Sequence, residues 1–203
     1  KQTNMYKQTI ARKNRLTSFL RETNYENLSK RPNVTIYTGT ASFVSPNTIK
    51  VVLPNGDIEL QGKEIFISTG STPIIPAIDG IQQSKYVYTS STLLDMNVLP
   101  KHLIIVGGGY IGLEFASMFA GFGSKVTILE GGNRFMPRND QDIANNVKDV
   151  MEKKGIEIHL NTRAQSIHDT SDGVTLTYSD VSDRTPYFVD GDAILIATGR
   201  KPM

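Results

Sequence analysis

The feature that most constrains the fold is a glycine-rich turn between a short apolar run and a helix-forming segment. Residues 103–106 are Leu-Ile-Ile-Val, and Gly107, Gly109 and Gly112 then give the spacing G-x-G-x-x-G. In a strand–turn–helix unit, the first glycine permits the tight turn and the second lets the backbone approach a pyrophosphate, while the third allows close packing of helix on strand. The helix N-terminus binds phosphates through backbone N–H groups and its dipole, so no basic side chain is needed. The segment predicts a dinucleotide site.

The sequence after this turn supplies the other parts of a βαβ unit, which matters because glycine-rich turns also recur by chance. Residues 113–122 predict a helix, and residues 125–129 predict an apolar strand that ends at Glu130. The distance in sequence from the glycine turn to Glu130 is close to the spacing of about 20 residues at which an acidic residue binds the adenine ribose. We expect Glu130 to accept hydrogen bonds from both ribose hydroxyls, which favours NAD over NADP. Arg134 and Arg138 follow within reach of a 2′-phosphate, so NADP stays the less favoured alternative.

The composition excludes several kinds of site. The chain has 203 residues and no cysteine, so it has no disulfide, thiolate metal site or redox dithiol of its own. Its three histidines, His102, His159 and His168, stand singly, and we expect no bound metal. No segment approaches the roughly 20 apolar residues of a membrane span. The start of the chain lacks a signal-peptide core and an initiator methionine, so we expect a cytoplasmic protein and a piece of a longer chain.

The net charge of +2 is unevenly distributed along the chain. Residues 1–31 are strongly basic, and the remainder is net acidic. The basic stretch lacks the interleaved aromatic residues of single-strand binders and any reading-helix motif. A solvated helix face therefore explains it better than a nucleic-acid partner.

The first part of the chain predicts one helix followed by short strands. The apolar positions of residues 5–24 follow an imperfect helical stripe. Turn residues then separate four runs that predict a small antiparallel meander, namely residues 34–37, 41–44, 48–53 and 57–60. Residues 63–70 predict a buried strand that stops at a glycine, before an irregular passage rich in proline.

The second part continues the alternation of helices and strands. Residues 89–97 predict a short helix capped by Thr89 or Ser90. Another helix is expected to begin after Asn139 as its cap and to stop at Gly155. The further predicted strands are residues 156–160, 164–168 and 173–178, then, after a polar loop, a buried strand within residues 192–199.

Three motifs in order carry a family resemblance. They are Ser68-Thr69-Gly70, the central Gly-Gly-Gly-Tyr-Ile-Gly-Leu-Glu of residues 107–114, and Ala-Thr-Gly-Arg-Lys-Pro of residues 197–202. With these motifs the chain resembles the pyridine nucleotide-disulfide oxidoreductases, which include lipoamide dehydrogenase, glutathione reductase and mercuric reductase. The resemblance spans nearly the whole chain, and residues 112–130, especially 114–119, look most similar to bacterial mercuric-reductase-like members such as the reactive-chlorine resistance flavoproteins.

The resemblance implies an α/β fold. Residues 1–88 would form part of an FAD-binding domain with the antiparallel meander. Residues 89–203 would form a Rossmann-like, three-layer NAD(P)-binding domain that ends in the second Thr-Gly strand.

The resemblance also implies which residues bind the cofactors. The expected NAD contacts are Gly107, Gly108, Gly109, Tyr110, Ile111, Gly112, Glu114 and Glu130, with Ala164 near the adenine and Gly199 near the nicotinamide. The expected FAD contacts are Ala41, Thr69, Gly70 and Ser71. Tyr110 would be the mobile aromatic that covers the nicotinamide side of the flavin, or else a tyrosine that packs at a helix start. Glu114 would hold the nicotinamide carboxamide and pair with a lysine outside this chain, or else occupy an ordinary polar position.

Several parts of the family pattern are missing. The chain has no earlier G-x-G-x-x-G for the FAD pyrophosphate, no C-x-x-x-x-C pair, and no C-terminal dimerisation domain with its His-Glu pair. We therefore expect no catalytic residue and no turnover in this chain alone. It would bind NADH, whereas FAD would have lost most of its site. The intact enzyme would pass hydride from NADH through FAD to a disulfide or a small-molecule acceptor, and only the intact enzyme would be a homodimer.

Two other functions stay open at this point. One is a noncatalytic nucleotide-binding module that senses redox state, because a fold alone does not establish catalysis. The other is a flavoenzyme of the NADH oxidase or peroxidase type, which uses a single cysteine.

Overall fold

The computed structural model describes residues 2–182 and 184–203. It forms two compact units, one made of the residues up to Ala11 together with Ser71–Met203, the other of Arg12–Gly70. The predicted boundary after residue 88 concerns the domains of a longer protein and stays a prediction. The described helices are α1 (Gln2–Ser29), α2 (Ser90–Leu93), α3 (Tyr110–Phe122) and α4 (Gln141–Lys153). The described strands are β1 (Thr40–Ser45), β2 (Thr48–Val52), β3 (Ile58–Gln61), β4 (Ser71–Pro73), β5 (Val87–Tyr88), β6 (His102–Val106), β7 (Lys125–Leu129), β8 (Ile156–His159), β9 (Thr162–Asp169), β10 (Val174–Asp180), β11 (Pro186–Gly191), β12 (Ala193–Ile196) and β13 (Arg200–Pro202).

A parallel sheet forms the centre of the larger unit. Its strands lie in the order β5-β12-β6-β7-β8, and every pairing is parallel. The middle strands are nearly continuous apolar runs, as expected for strands that are covered on both faces. Leu103, Ile104 and Ile105 of β6 and Ile194 and Leu195 of β12 are fully buried.

Each face of this sheet is covered by a different layer. Helices α3 and α4 pack on one face, where Phe119 and Met151 join the same core as Leu103 and Ile105. The antiparallel sheet β9-β10-β11 covers the other face, where Leu176 packs in one core with residues of the parallel sheet. The resulting helix, parallel-sheet and antiparallel-sheet layers confirm the predicted three-layer α/β fold.

Helix α1 is longer than the prediction of residues 5–24. In its first turns, Tyr6 is fully buried, its ring contacts Phe119 and Phe122, and its hydroxyl donates to the Met96 carbonyl oxygen at 3.0 Å. Tyr6 therefore packs the start of α1 into the core of the larger unit, to which these residues belong.

The smaller unit contains the predicted meander in the order β1-β2-β3. The predicted strand at residues 34–37 is absent, and so is the predicted buried strand at residues 63–70. Phe66 is 88% exposed and Ile67 is 71% exposed. A strand is stable only when neighbouring strands pair with it, and no strand of the described residues pairs with either run.

Three predictions in the larger unit need correction. The helix at residues 89–97 is only Ser90–Leu93, because the turn-forming residues that follow end it; Thr89 is its N-cap, as predicted. Helix α4 has Asp140 as its N-cap residue rather than Asn139. The predicted polar loop contains β11, because pairing with β10 along its whole length outweighs the local preference for a loop.

Candidate functional site

A cleft of about 690 Å³ opens in the larger unit beyond the carboxyl ends of β6, β7 and β12. Open α/β sheets bind ligands at this edge. Six short segments line it, namely residues 76–78, 106–110, 129–131, 136–139, 162–164 and 197–199. All of them lie within Ser71–Met203, so one compact unit builds the whole cleft.

The glycine-rich turn between β6 and α3 forms the floor of this cleft. Gly107 has a φ of +110°, a conformation that L side chains rarely adopt, and a Cβ there would meet the Ala197 backbone. A Cβ at Gly112 would collide with the carbonyl oxygen of Gly107, so this glycine permits close packing of α3 on the turn. A Cβ at Gly109 would meet no atom within 4 Å. The turn and packing roles are as predicted, and the space in front of Gly109 is open.

Helix α3 begins at this open space. Gly109 is its N-cap residue, and no side chain among the described residues caps the helix. The N–H groups of the first turn have no partner within a helix, so the α3 start offers donors and a positive dipole end to an anion. No basic side chain belongs to the turn itself.

Glu130 lies at the end of β7 with its carboxylate fixed by backbone donors. Its Oε2 accepts from the Gly108 N–H at 2.6 Å, and its Oε1 accepts from the Gly132 N–H at 2.7 Å. Its own N–H donates to the His159 carbonyl oxygen at 2.8 Å, which fixes the backbone as well. A carboxylate has about four acceptor positions. The half-buried Glu130 thus retains acceptors for hydroxyl groups in the cleft.

The two arginines after Glu130 have different surroundings. Arg138 lines the cleft. Arg134 does not line it. Its Nε and Nη2 donate to Gln141 Oε1 at 3.1 Å and 2.6 Å. Gln141 Nε2 in turn donates to Asn145 Oδ1 at 2.8 Å.

Tyr110 and Glu114 differ in their relation to the cleft. Tyr110 lines it, is 60% exposed, and donates its hydroxyl proton to Asn139 Oδ1 at 2.9 Å. Glu114 is exposed one turn further along α3 and lies outside the lining, as do Ile111 and the buried Gly112.

Ala164 and Gly199, predicted from distant parts of the sequence, both line the cleft. Gly199 has a φ of +115° and directly precedes β13, which pairs with β4. The structure thus brings together residues 107–110, Glu130, Ala164 and Gly199 around one space.

None of the expected FAD residues belongs to the cleft lining. Ala41, Thr69 and Gly70 are exposed residues of the smaller unit, whereas Ser71 begins β4 in the larger one. Arg200 Nε donates to Ser71 Oγ at 2.8 Å, and Arg200 Nη2 donates to the Ser71 carbonyl oxygen at 2.6 Å. Their common contact with FAD stays a prediction.

Residues 76–78 of the lining were not identified from the sequence, and of residues 136–139 only Arg138 was. Residues 76–78 are brought to the cleft by an irregular passage, in which Asp79 bridges to Ser166 of β9. Residues 136–139 follow β7, and Met136 there has a φ of +46°. Neither segment has a recognisable motif, and only the proline-rich passage indicated irregular structure.

The histidines lie outside the cleft lining. At the amino end of β6, His102 Nε2 is 2.9 Å from Thr127 Oγ1, which donates to Glu157 Oε2 at 2.9 Å. Burial and then the nearby Lys125 charge lower the pKa of His102. Within the described residues no group of three or more His, Asp or Glu side chains could hold a metal ion. In the same part of the chain, no helix has both the length and the apolar character needed to cross a membrane.

Comparison with known proteins gives matches that extend over most of the chain. The family model described as pyridine nucleotide-disulphide oxidoreductase matches residues 2–203. The chain is 44% identical over 193 residues to the probable pyridine nucleotide-disulfide oxidoreductase RclA of Escherichia coli (strain K12), a match that covers 95% of this chain and 42% of that protein. It is 36% identical over 177 residues to the dihydrolipoyl dehydrogenase of Geobacillus stearothermophilus, which covers 87% of this chain and 37% of that protein.

A solved structure agrees with the fold. It is the Cu(II) complex of the HOCl-induced flavoprotein disulfide reductase RclA from Escherichia coli, with a TM-score of 0.88 and 41% sequence identity. The match covers 98% of this chain and 45% of that one. The chain therefore spans less than half the length of the relatives that it matches.

Proposed function

Because this chain belongs to the pyridine nucleotide-disulphide oxidoreductase family, we propose that it is the NAD(H)-binding portion of an FAD-dependent oxidoreductase. Residues 89–203 would belong to the NAD(P)-binding domain and residues 1–88 to part of the FAD-binding domain. The longer enzyme would transfer hydride from NADH to FAD and then reduce a disulfide or another acceptor. The relative named as a flavoprotein disulfide reductase supports both the flavin and the acceptor.

The observation that carries this proposal is the fixed carboxylate of Glu130 beside the open glycine turn. A pyrophosphate placed before Gly109 would meet the free N–H groups of the α3 start. The adenine ribose would then lie at Glu130, whose remaining acceptors suit its two hydroxyls. Ala164 would border the adenine and Gly199 the nicotinamide, and both line the same cleft. The residues present therefore fit a dinucleotide.

The chemistry of the reaction belongs to the cofactors, since nicotinamide supplies a hydride and flavin accepts it when both are bound. The residues of this chain position and shield the reacting groups. Tyr110 is exposed at the cleft and held by one hydrogen bond, which suits an aromatic side chain that moves when the nicotinamide enters. Glu114 would hold the carboxamide of the nicotinamide. Ala41, Thr69, Gly70 and Ser71 would contact FAD.

We further propose that the cleft prefers NADH to NADPH. The negative Glu130 carboxylate would repel a 2′-phosphate, whereas it accepts hydrogen bonds from a free 2′-hydroxyl. A backbone N–H already binds each oxygen of this carboxylate, so moving the carboxylate away from a 2′-phosphate would break these hydrogen bonds.

Replacing Glu130 tests the proposed site. Glu130→Ala should weaken NADH binding about ten- to a hundredfold, the range for lost hydrogen bonds to a charged group. NADPH binding should be unchanged or improved, because the repulsion is gone. Calorimetric titration of the chain with each nucleotide at fixed ionic strength measures the ratio of the NADH and NADPH affinities. Glu152→Ala, an exposed glutamate of α4 outside the cleft lining, is the matched control. An unchanged NADH-to-NADPH affinity ratio in Glu130→Ala would show that Glu130 does not bind the adenine ribose.

The flavin part of the proposal has a separate test. A longer protein that contains this chain should purify with flavin absorbance, and NADH should bleach that absorbance without oxygen. Purification without flavin would contradict the assignment to an FAD-dependent enzyme and would favour a noncatalytic nucleotide-binding module.

A further inference from the structure

Arg134 is a cation that follows Glu130 closely in the sequence but does not line the cleft. Two of its N–H groups donate to the single oxygen Oε1 of Gln141, at 3.1 Å and 2.6 Å. Gln141 is itself anchored, because its Nε2 donates to Asn145 Oδ1 one turn later in α4. The side chain of Arg134 thus takes part in a continuous chain of hydrogen bonds that leads onto the helix surface.

The backbone of Arg134 lies close to the carboxylate of Glu130. A Cβ built on Gly132 would be 3.1 Å from Glu130 Oε1 and 3.5 Å from the Arg134 carbonyl oxygen. The carboxylate of Glu130 and the backbone of Arg134 therefore lie on either side of Gly132. In the described part of the chain no ion pair joins Arg134 to Glu130. The long and flexible arginine side chain starts near enough to turn toward the ribose edge of the cleft, but its hydrogen bonds direct it elsewhere.

From this arrangement we infer that Gln141 is a positioning residue for nucleotide choice: it holds the Arg134 guanidinium away from the ribose and thereby prevents that cation from binding a 2′-phosphate. The inference rests on the proposed dinucleotide site and adds a second determinant to it. Glu130 disfavours the phosphate by repulsion, and Gln141 withholds the cation that would compensate for that repulsion.

The residue chemistry supports this role for a glutamine. A guanidinium presents five N–H donors in a planar fork and binds phosphate or carboxylate strongly. A neutral amide oxygen binds it more weakly than either anion but without introducing charge near the cleft. Because the Arg134–Gln141 contact is exposed, its free energy is modest, and the expected shift in affinity is correspondingly modest.

A thermodynamic cycle on this chain tests the inference. Gln141→Ala should free Arg134 and shift the NADH-to-NADPH affinity ratio about three- to tenfold toward NADPH, as expected for one gained charge-assisted contact. Gln141→Glu should hold Arg134 more tightly and shift the ratio the other way, and a glutamate is well tolerated in the first turn of a helix. In the Arg134→Ala background, Gln141→Ala should have no effect on the ratio. Asn146→Ala, exposed on the same helix, is the control and should leave the ratio unchanged.

The outcomes separate this inference from the proposed function. Normal NADH binding with an unchanged NADH-to-NADPH affinity ratio in Gln141→Ala overturns the inference alone. A shift that persists in the Arg134→Ala background also overturns it, because Gln141 would then act without the arginine. Failure of the unmodified chain to bind either nucleotide overturns both the inference and the proposed site. The opposite shifts of Gln141→Ala and Gln141→Glu cannot come from a general loss of stability, which would change both variants in one direction.

Discussion

At the residue scale, two glycines of helix α3 have opposite surroundings. Gly112 is buried against the glycine turn, where a Cβ would collide with the Gly107 carbonyl oxygen. Gly121 lies in the same helix, and a Cβ there would meet nothing within 4 Å. The same substitution should therefore have opposite effects at the two positions.

Gly112→Ala should lower the free energy of unfolding by about 1–3 kcal/mol, because the overpacked contact must move backbone. Gly121→Ala should raise it by about 0.5–1 kcal/mol, since alanine is the better helix former. Urea unfolding of both variants measures the difference. If Gly112→Ala were as stable as the unmodified chain, α3 would not depend on this close approach.

Residues of the site differ in how far the sequence predicts them. Gly107 and Glu130 were identified because each follows a strand in a fixed local pattern. The N–H donors of Glu130 depend on the path of the loops around the end of β7. The contact of Gln141 with Arg134 depends on the path of the same region into α4. No local pattern encodes these paths, so these partners appear only in the structure.

At the element scale, the sequence predicts best where an element is determined by its own residues. Strand β7 and the end of α3 are found at their predicted residues, because apolar period and glycine stops are local properties. The strands predicted at residues 34–37 and 63–70 are absent, while β11 was predicted as a loop. Both kinds of error concern the pairing of strands, which depends on distant segments of the chain rather than on the strand propensity of local residues.

The strands β6, β7 and β8 also carry a polar network with a pH dependence. Burial first, then the Lys125 charge, lowers the pKa of His102, while Glu157 and Asp192 act in the opposite direction. The unfolded chain therefore binds this proton more tightly than the folded chain does. The contribution of His102 to stability is complete above its ordinary pKa of 6.5 and is lost as the pH falls through the lowered value.

Replacing this histidine should make stability less dependent on pH. His102→Gln retains a side chain that can hydrogen-bond to Thr127 but does not titrate. Thermal unfolding between about pH 7.5 and pH 5 should show a shallower loss of stability for the variant than for the unmodified chain. Equal slopes in that range would contradict the lowered pKa.

At the scale of the whole molecule, the cleft is built by one compact unit. All of its lining segments lie between residues 76 and 199, and none comes from Arg12–Gly70. We therefore expect the proposed dinucleotide site to be complete in this chain, although the chain spans less than half of the length of its relatives.

The most direct test is a calorimetric titration of the chain with NADH, with Gly109→Val as the matched control. A Cβ at Gly109 would point into open space, so valine should leave the fold intact while obstructing the place of the pyrophosphate. We predict saturable binding of one NADH by the unmodified chain and loss of binding by an equally stable Gly109→Val variant. Absence of binding by the unmodified chain up to roughly 1 mM NADH, or equal binding by both proteins, would contradict it.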